Sequence, residues 1–595
     1  MALGVREHST EIYKRHARLT HMTEAILKKN ITGVLKGLGY TDEFDFTVEH
    51  PNDASHGDWS TNIALIAAKK VGKNPRELAE QIASGLSASL NSKDIKEISI
   101  AGPGFINIHF SNSYFEGSVR DIINQGEFYG RNGDLESQKT IIEFTDPNPF
   151  KKFHIGHMMS MIIGETLCNV AEWNGAEVKR AVYQGDVGMH VAKAVWGMVQ
   201  NRAAFPHDED SIDVKVRFLS NSYAFGSREF DGDARAKEEI VATNKILYEQ
   251  SNHELNIYFE KGRGWSLEDF ETIYKRIGTT YDFYFLESEV AQYGKDLVLS
   301  RVADEIFENS DGAVVYKAEK HGLHTRVFIN SKGIPTYEAK ELGLAQIKNE
   351  RYQYDRSIVL TGNEQDGYFK VVMKALEEVS PELAEKTTHL SHGMLRLPSG
   401  KMSSRTGDVI TASSMIDEVR ESVAKKMEDR DFSEEEKDKI VELVAMAAIK
   451  YSVLKQTPSK DIIFDFEKSL SFEGDSGPYL LYTLLRAKSL ITKAEEAKIP
   501  LSEVKQPEGW EAQEIEQKLY RFKELVSYTY SELAPQHMVT YLTEIASLFN
   551  SFYGSGKIVD ADDPSSPYRV GITEAVSVVL TNGLDILGIK VPEKM

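Results

Sequence analysis

Two short strings carry the side chains best suited to chemistry. They are His154-Ile155-Gly156-His157 and, far downstream, Lys401-Met402-Ser403-Ser404-Arg405. The first follows the apolar stretch Thr140-Ile141-Ile142-Glu143-Phe144 and precedes a helix-like run from Met158 to Trp173. That order spells a strand, a turn and a helix start. A helix start offers unpaired backbone N–H groups and the positive end of the helix dipole, where phosphates can sit. Histidines three apart share one helical face, and Gly156 between them leaves room for a nucleotide to approach the backbone. Lys401, Ser403 and Ser404 add a cation and two hydroxyls from a loop flanked by Gly400 and Gly407. Each string alone is equally compatible with capping residues or a solvated loop. Together they point to a site that grips a triphosphate from two sides. Such donors accelerate a reaction only if they bind its transition state better than the bound nucleotide.

The elements that must hold these strings fall into three regions. Residues 1–130 read as an N-terminal α+β domain, with helix-like patterns at 20–38, 59–71 and 75–90 and strand-like stretches at 98–100 and 105–110. Residues 131–410 alternate strand and helix patterns, as a Rossmann-like parallel sheet does. A charged, helix-rich segment at about 205–310 reads as an insertion, after which the sheet resumes with Val327-Phe328-Ile329 and 356–361. Residues 411–595 are almost wholly helical in pattern and read as an all-α bundle. The fold class expected is therefore α/β with an added α+β domain and a helical domain.

Composition bounds the rest. The 595 residues carry a formal net charge of −21, so a polyanionic partner must be met by local basic patches. Cys168 is the single cysteine, which excludes a disulfide within the chain and a thiolate zinc cluster. No apolar run has membrane-spanning length, and the N-terminus lacks a secretory core. A cytoplasmic enzyme with no membrane partner is expected.

Wider stretches resemble the class I aminoacyl-tRNA synthetases, specifically the arginyl-tRNA synthetase family. They include Glu143-Phe144-Thr145-Asp146-Pro147-Asn148, Gly185-Asp186-Val187-Gly188 and residues 396–410. Later stretches are Ser471-Phe472-Glu473-Gly474-Asp475-Ser476-Gly477-Pro478-Tyr479 and Gly583-Leu584-Asp585-Ile586-Leu587-Gly588-Ile589. Gly57-Asp58-Trp59 and Gly104-Phe105-Ile106-Asn107 resemble the family's N-terminal domain, implied to touch the tRNA elbow. The resemblance implies ATP as substrate with Mg2+, L-arginine and tRNA(Arg) as partners, and a monomer. It gives His154, His157, Lys401, Ser403 and Ser404 the catalytic roles, and Thr145, Lys151, Gly156, Met394 and Met402 to ATP.

A guanidinium is planar, permanently charged and rich in donors, so it favours rigid carboxylates. Glu143 at a strand end and Asn148 in the turn are candidates for it. Tyr337 and Glu341 are four apart on one helical face, and Gln365 follows the strand 356–361. The resemblance places arginine on these five residues. The family usually has aspartate where this chain has Glu341. Val187, His190, Lys152 and Leu481 are further departures from its pattern. A site this polar rejects apolar amino acids without a hydrolytic editing domain.

For RNA, the helical region offers Tyr479, Tyr482, Arg486, Asn550 and Tyr553, aromatic and basic groups suited to unstacked bases. Core packing is the competing reading for each tyrosine. Two rival functions stay open at this level: a synthetase or nucleotidylyltransferase for another acid, and a relative that only binds tRNA.

Overall fold

The structure is a computed structural model that describes residues 23–51, 53–396, 410–428, 430–500 and 504–595. Contacts divide the chain into two compact units. One holds Arg131–Leu481, Val526–Thr540 and Leu584–Met595, and the other Met1–Gly130, Tyr482–Leu525 and Tyr541–Gly583.

The first unit is built on a five-stranded sheet. Its strands are β1 (Lys139–Glu143), β2 (Glu177–Gln184), β3 (Phe283–Leu286), β4 (Arg356–Gly362) and β5 (Thr387–His392), in the order β5-β4-β1-β2-β3. All four pairings are parallel. Ile141 and Ile142 of β1 and Ile358 to Leu360 of β4 are buried, the continuous apolar run expected of strands covered on both faces. The chain leaves β1 towards β2 and β3, then returns to the other side of β1 as β4. That reversal opens a crevice beyond the carboxyl ends of β1 and β4, where sheets of this class bind ligands.

Six helices matter to that crevice: α1 (Ile155–Trp173), α2 (Met189–Gln200), α3 (His253–Ile277), α4 (Glu287–Ser300), α5 (Tyr337–Arg351) and α6 (Asp366–Val379). Helix α1 follows β1 directly and buries Met158, Met159, Met161, Ile162 and Leu167.

Two expectations change here. The segment 205–310 is not one insertion. Ile212–Gly232, Ala234–Glu249 and α3 supply its helices, but Phe283–Leu286 is an edge strand of the parallel sheet. Its Phe-Tyr-Phe-Leu is too short to stand out against the charged helices around it. Conversely, Arg326–Ile329 lies outside that sheet. It pairs antiparallel with Ala313–Tyr316, which pairs with Glu308–Ser310.

The second unit contains an antiparallel sheet of Val48–Glu49, Trp59–Thr61, Phe105–Phe110 and Ile95–Ala101, in that order. Helices Glu24–Gly37, Ile63–Val71 and Pro75–Ser89 belong to it, and Leu27, Ile31, Trp59, Ile82, Leu86 and Ile106 form part of its core. Asn74 caps the third helix and Pro75 takes its first position, as the sequence Asn-Pro dictates. Tyr520, from the C-terminal part of the same unit, packs into this core. From Ala412 onward the described regular structure is helical apart from the strand Ile462–Ile463. Among the described residues, no helix is long and apolar enough to cross a membrane.

Candidate functional site

The histidine pair opens helix α1. His154 is its N-cap: His154 Nδ1 accepts the His157 N–H at 3.4 Å, and His157 Nδ1 accepts the His154 N–H at 3.3 Å. Two reciprocal caps satisfy donors that a helix start otherwise leaves open. They also set the chemistry. A ring whose Nδ1 accepts a hydrogen bond while neutral must carry its proton on Nε2. Burial, with Lys151 nearby, pushes His154 down to about 4, and burial beside His154 pushes His157 well below its ordinary value. Both rings are thus neutral at pH 7, stacked with centroids 3.5 Å apart, and each presents an Nε2–H donor. Gly156 matters for a reason the spacing does not show. A Cβ there would come within 3.0 Å of the His154 ring, so glycine keeps that ring in its capping position.

The turn between β1 and α1 is strained. Thr145, Asp146 and Phe150 have φ of 87°, 45° and 68°, a region non-glycine residues rarely adopt. Three anchors hold it: Thr145 N–H to Ser160 Oγ at 2.9 Å, Tyr183 N–H to Asp146 Oδ1 at 3.1 Å, and Phe150 N–H to Ser266 Oγ at 2.9 Å. The Thr145 hydroxyl, expected to meet ATP, is buried against the Tyr281 hydroxyl at 2.6 Å. It shapes the turn from behind. Lys151 extends over Tyr223, its ammonium 5.7 Å from the ring centre, and burial and Lys193 push its pKa down.

A cluster of acidic side chains adjoins this turn. Glu143 is 1 % exposed and is met by the Lys348 ammonium from α5 at 2.7 Å. It therefore enters the cluster already neutralised, a pairing its sequence position does not reveal. Glu341 has no ion pair of its own among the described residues. Burial, reinforced by Glu143, raises it to about 8. Asp146 is raised well above the carboxylate range by burial and by Glu143. Three buried carboxyls share the one Lys348 ammonium, and such a site favours a positive ligand. Asn148 sits in the strained turn, and Tyr337, 56 % exposed, opens α5. Gln365 is exposed in the turn Asn363–Gln365 at the end of β4. Glu143, Asn148 and Gln365 thus lie at or just after the carboxyl ends of β1 and β4, and Tyr337 and Glu341 in the first turns of α5. Asp146, Lys348 and Glu287 join them without having been singled out. Asp146 lies within the quoted string Glu143 to Asn148, the only available signal.

Lys401, Met402, Ser403 and Ser404 lie outside the described residues. The chain on either side is placed. Leu395–Arg396 pairs with Ile462–Ile463, and the Met394 N–H reaches Asp461 Oδ1 at 2.8 Å, so the backbone of Met394 serves this anchor. Where the described chain resumes, Ile410 O accepts from Ile155 N–H at 3.3 Å, Ala412 N–H reaches Phe153 O at 3.0 Å, and Thr411 bridges to His154. Residues 410–412 are thus stitched to the start of α1.

In the other unit, four expected RNA residues form one cluster. The Arg486 guanidinium lies 4.8 Å from the Tyr482 ring centre and 4.9 Å from that of Tyr553, and donates to Asn550 Oδ1. The Asn550 amide donates to Thr483 at 3.1 Å. Both rings are exposed, at 39 % and 43 %. Tyr479 belongs to the first unit, where its N–H reaches Ser476 Oγ at 3.1 Å.

Known proteins similar to this chain fall in one family. The family described as tRNA synthetases class I (R), catalytic domain, matches residues 118–466, more than half of the chain. The DALR anticodon binding domain matches 480–595, and the arginyl tRNA synthetase N terminal domain matches 25–110. The arginine–tRNA ligase of Fusobacterium nucleatum is 30 % identical, over 91 % of this chain and 93 % of that one. That of Treponema denticola is 29 % identical, over 92 % and 94 %. The arginyl-tRNA synthetase structures of Thermus thermophilus and Plasmodium falciparum superpose with TM-scores of 0.77 and 0.76. At 21 % and 18 % identity, each over 96 % of this chain and 100 % and 99 % of theirs, they speak to the fold.

Proposed function

From the premise that this chain belongs to the arginyl-tRNA synthetase family of class I, as its domain matches establish, we propose how its site works. The enzyme is an arginine–tRNA ligase that uses ATP. In the first step an arginine carboxylate oxygen bonds to the α-phosphorus of ATP and pyrophosphate leaves, giving arginyl-adenylate. In the second, a hydroxyl of the terminal adenosine of tRNA(Arg) attacks the activated carbonyl and AMP leaves.

Charge supports the assignment of arginine. Glu143 is balanced by Lys348, while Glu341 and Asp146 remain, both raised by burial and then by Glu143. A guanidinium placed there converts a strained pair of acids into a set of charge-assisted hydrogen bonds. Asn148, Tyr337 and Gln365 complete this binding set. The two Nε2–H donors of His154 and His157 face the triphosphate with Lys151, and Lys401, Ser403 and Ser404, which lie outside the described residues, are assigned to it from the sequence. Gly156, Thr145 and Met394 act through the backbone they shape, and Met402 with the adenosine. Neutral donors already oriented by reciprocal caps need no reorganisation as charge develops. The anticodon is met by the Tyr482, Arg486, Asn550 and Tyr553 cluster, while Tyr479, in the other unit, keeps its RNA role from the sequence alone.

Magnesium fits as a companion of the triphosphate. Among the described residues no group of three His, Cys, Asp or Glu side chains is arranged to hold a metal, and Mg2+ bound to phosphates needs few protein ligands. It would neutralise phosphate charge. In this reading residues 1–130 meet the tRNA elbow, 131–410 carry the chemistry and 411–595 read the anticodon. Every residue named comes from one chain, so a monomer suffices. The buried, disulfide-free Cys168 suits the cytoplasm.

The acidic pocket beside the histidines carries this reading, and ATP–pyrophosphate exchange tests it. Arginine should support exchange in the presence of tRNA(Arg), and other amino acids should not. Exchange driven by a different amino acid would overturn the substrate assignment.

A further inference from the structure

Helix α3 lies against the turn that carries Lys151 and the histidines, and the reading above gives it no part. Its buried residues Phe259, Gly262, Ser266, Phe270 and Tyr274 are spaced by three and four, so they share one face. That face follows the turn for its whole length. Phe150 stacks on Phe259 with centroids 6.2 Å apart, and the Phe150 N–H donates to Ser266 Oγ at 2.9 Å. Phe153 packs against Phe270 and Tyr274, with centroids at 5.7 and 6.1 Å. The other neighbour of Phe153 is the His157 ring, at 5.0 Å.

Two of these contacts are exacting. A Cβ on Gly262 would come within 2.2 Å of the Phe150 ring, so only glycine lets that ring close onto the helix. The Ser266 hydroxyl gives its one hydrogen to the Gly262 carbonyl at 2.8 Å. Its oxygen therefore meets Phe150 as an acceptor. Phe150 depends on both. It is 1 % exposed, so its N–H has no solvent to turn to. Its φ of 68° is a conformation that a side chain this large keeps only where the surroundings over-determine it.

Lys151 is the next residue. Its ammonium stands 5.7 Å from the centre of the Tyr223 ring. The backbone direction at Phe150 decides where the base of that long side chain points. We propose that Ser266 is a positioning residue for adenylate formation, its hydrogen bond to the Phe150 N–H setting the turn so that Lys151 meets the triphosphate. Ser266 touches no substrate in this scheme and acts through Lys151. A misplacement of about 1 Å can cost about 100-fold in rate. A lost anchor one residue away is enough to produce it.

The inference rests on the reading that Lys151 faces ATP, and a double-mutant cycle separates the two. ATP–pyrophosphate exchange with tRNA(Arg) present would give kcat/KM for ATP in four full-length proteins: the wild type, Ser266→Ala, Lys151→Ala and the double variant. Ser266→Ala should lower kcat/KM by about tenfold or more. In the Lys151→Ala background the same change should cost less than about threefold, because the group it positions is gone. The KM for arginine should stay within about threefold throughout, since Glu143 and Asp146 keep their own partners in Lys348 and Tyr183. Equal losses from Ser266→Ala in both backgrounds would overturn the proposal. So would an unchanged rate, or a matching rise in the KM for arginine. Gly262→Ala, whose methyl presses on the Phe150 ring, repeats the cycle from a second side and should show the same dependence on Lys151. If Lys151→Ala alone leaves exchange unchanged, the reading of Lys151 itself fails, and the proposal with it.

Discussion

Glu341 is the residue whose protonation most directly reports on substrate. Burial, with Glu143 and Glu287 nearby, holds it at about 8 in the absence of a cation. A guanidinium binds the ionised form, so arginine must displace its proton below that pH. Arginine affinity should rise with pH, by up to about tenfold per unit, and level off above about 8. The sign for stability is opposite. A carboxyl raised above its unfolded value of about 4.3 stabilises the fold while protonated, and that contribution fades as pH climbs towards 8. Bound arginine should restore it. Calorimetry in buffers of different ionisation enthalpy should show proton release on binding at pH 7, and Glu341→Gln should reduce it to the share released by Asp146. The histidines behave otherwise. With His154 at about 4 and His157 lower still, adenylate formation should show no titration near 6.5. His154→Asn keeps an oxygen able to cap the His157 N–H but removes the Nε2–H. It should slow adenylation by about 100- to 1,000-fold, in line with losing one preorganised donor. Its thermal midpoint should stay close to the wild type, which differential scanning would verify. The sequence exposed these residues because their spacing is local: three between the histidines, four between Tyr337 and Glu341. It concealed Lys348 on Glu143 and Lys340 on Glu287, because those pairs join residues far apart in the chain.

The elements decide how close such pairs come. Helices α4 and α5 touch through glycines. A Cβ on Gly294 would lie 2.1 Å from the Ala339 carbonyl oxygen, and one on Gly343 would lie 2.7 Å from the Gly294 nitrogen. That close approach brings Glu287 to Lys340 and sets Tyr337 and Glu341 facing the carboxyl end of β1. The obstacle is backbone, which cannot swing aside. Gly294→Ala should therefore part the helices, destabilise the enzyme by about 1–3 kcal/mol as overpacking does, and weaken arginine binding more than ATP binding. Urea denaturation and separate titrations with the two substrates would measure both. The parallel sheet was legible in the alternation of strand and helix patterns, whereas the strand order that sets β4 beside β1 was not. The edge strand Phe283–Leu286 was not, since four residues among long charged helices carry too little periodicity. Arg326–Ile329 misled for the converse reason: a short apolar strand does not announce which sheet it joins.

At the scale of the whole molecule, a chain of net charge −21 must capture a polyanion. Diffuse attraction is unfavourable, so capture depends on places where cations are concentrated and aromatic faces exposed. The Arg486 cluster is such a place. Its guanidinium lies against two exposed rings and is steadied by Asn550, which Thr483 accepts in turn. An arginine held in this way offers a flat, charged face on which an unstacked base can lie. Arg486→Ala removes the charge and loosens both tyrosines, and it should cost about 1–3 kcal/mol of tRNA(Arg) affinity, the range for a lost stacking contact. Arg486→Lys should recover only part of this, because an ammonium lacks the planar face. Filter binding over a salt series distinguishes stacking from simple charge. If stacking dominates, the loss persists at high salt, whereas a phosphate contact would lose its effect as salt screens it. Because the cluster and the arginine pocket belong to different compact units, calorimetric arginine binding should be unchanged in the same variant. A parallel fall in arginine affinity would mean that Arg486 supports the fold as a whole, and the cluster could not then be assigned to RNA.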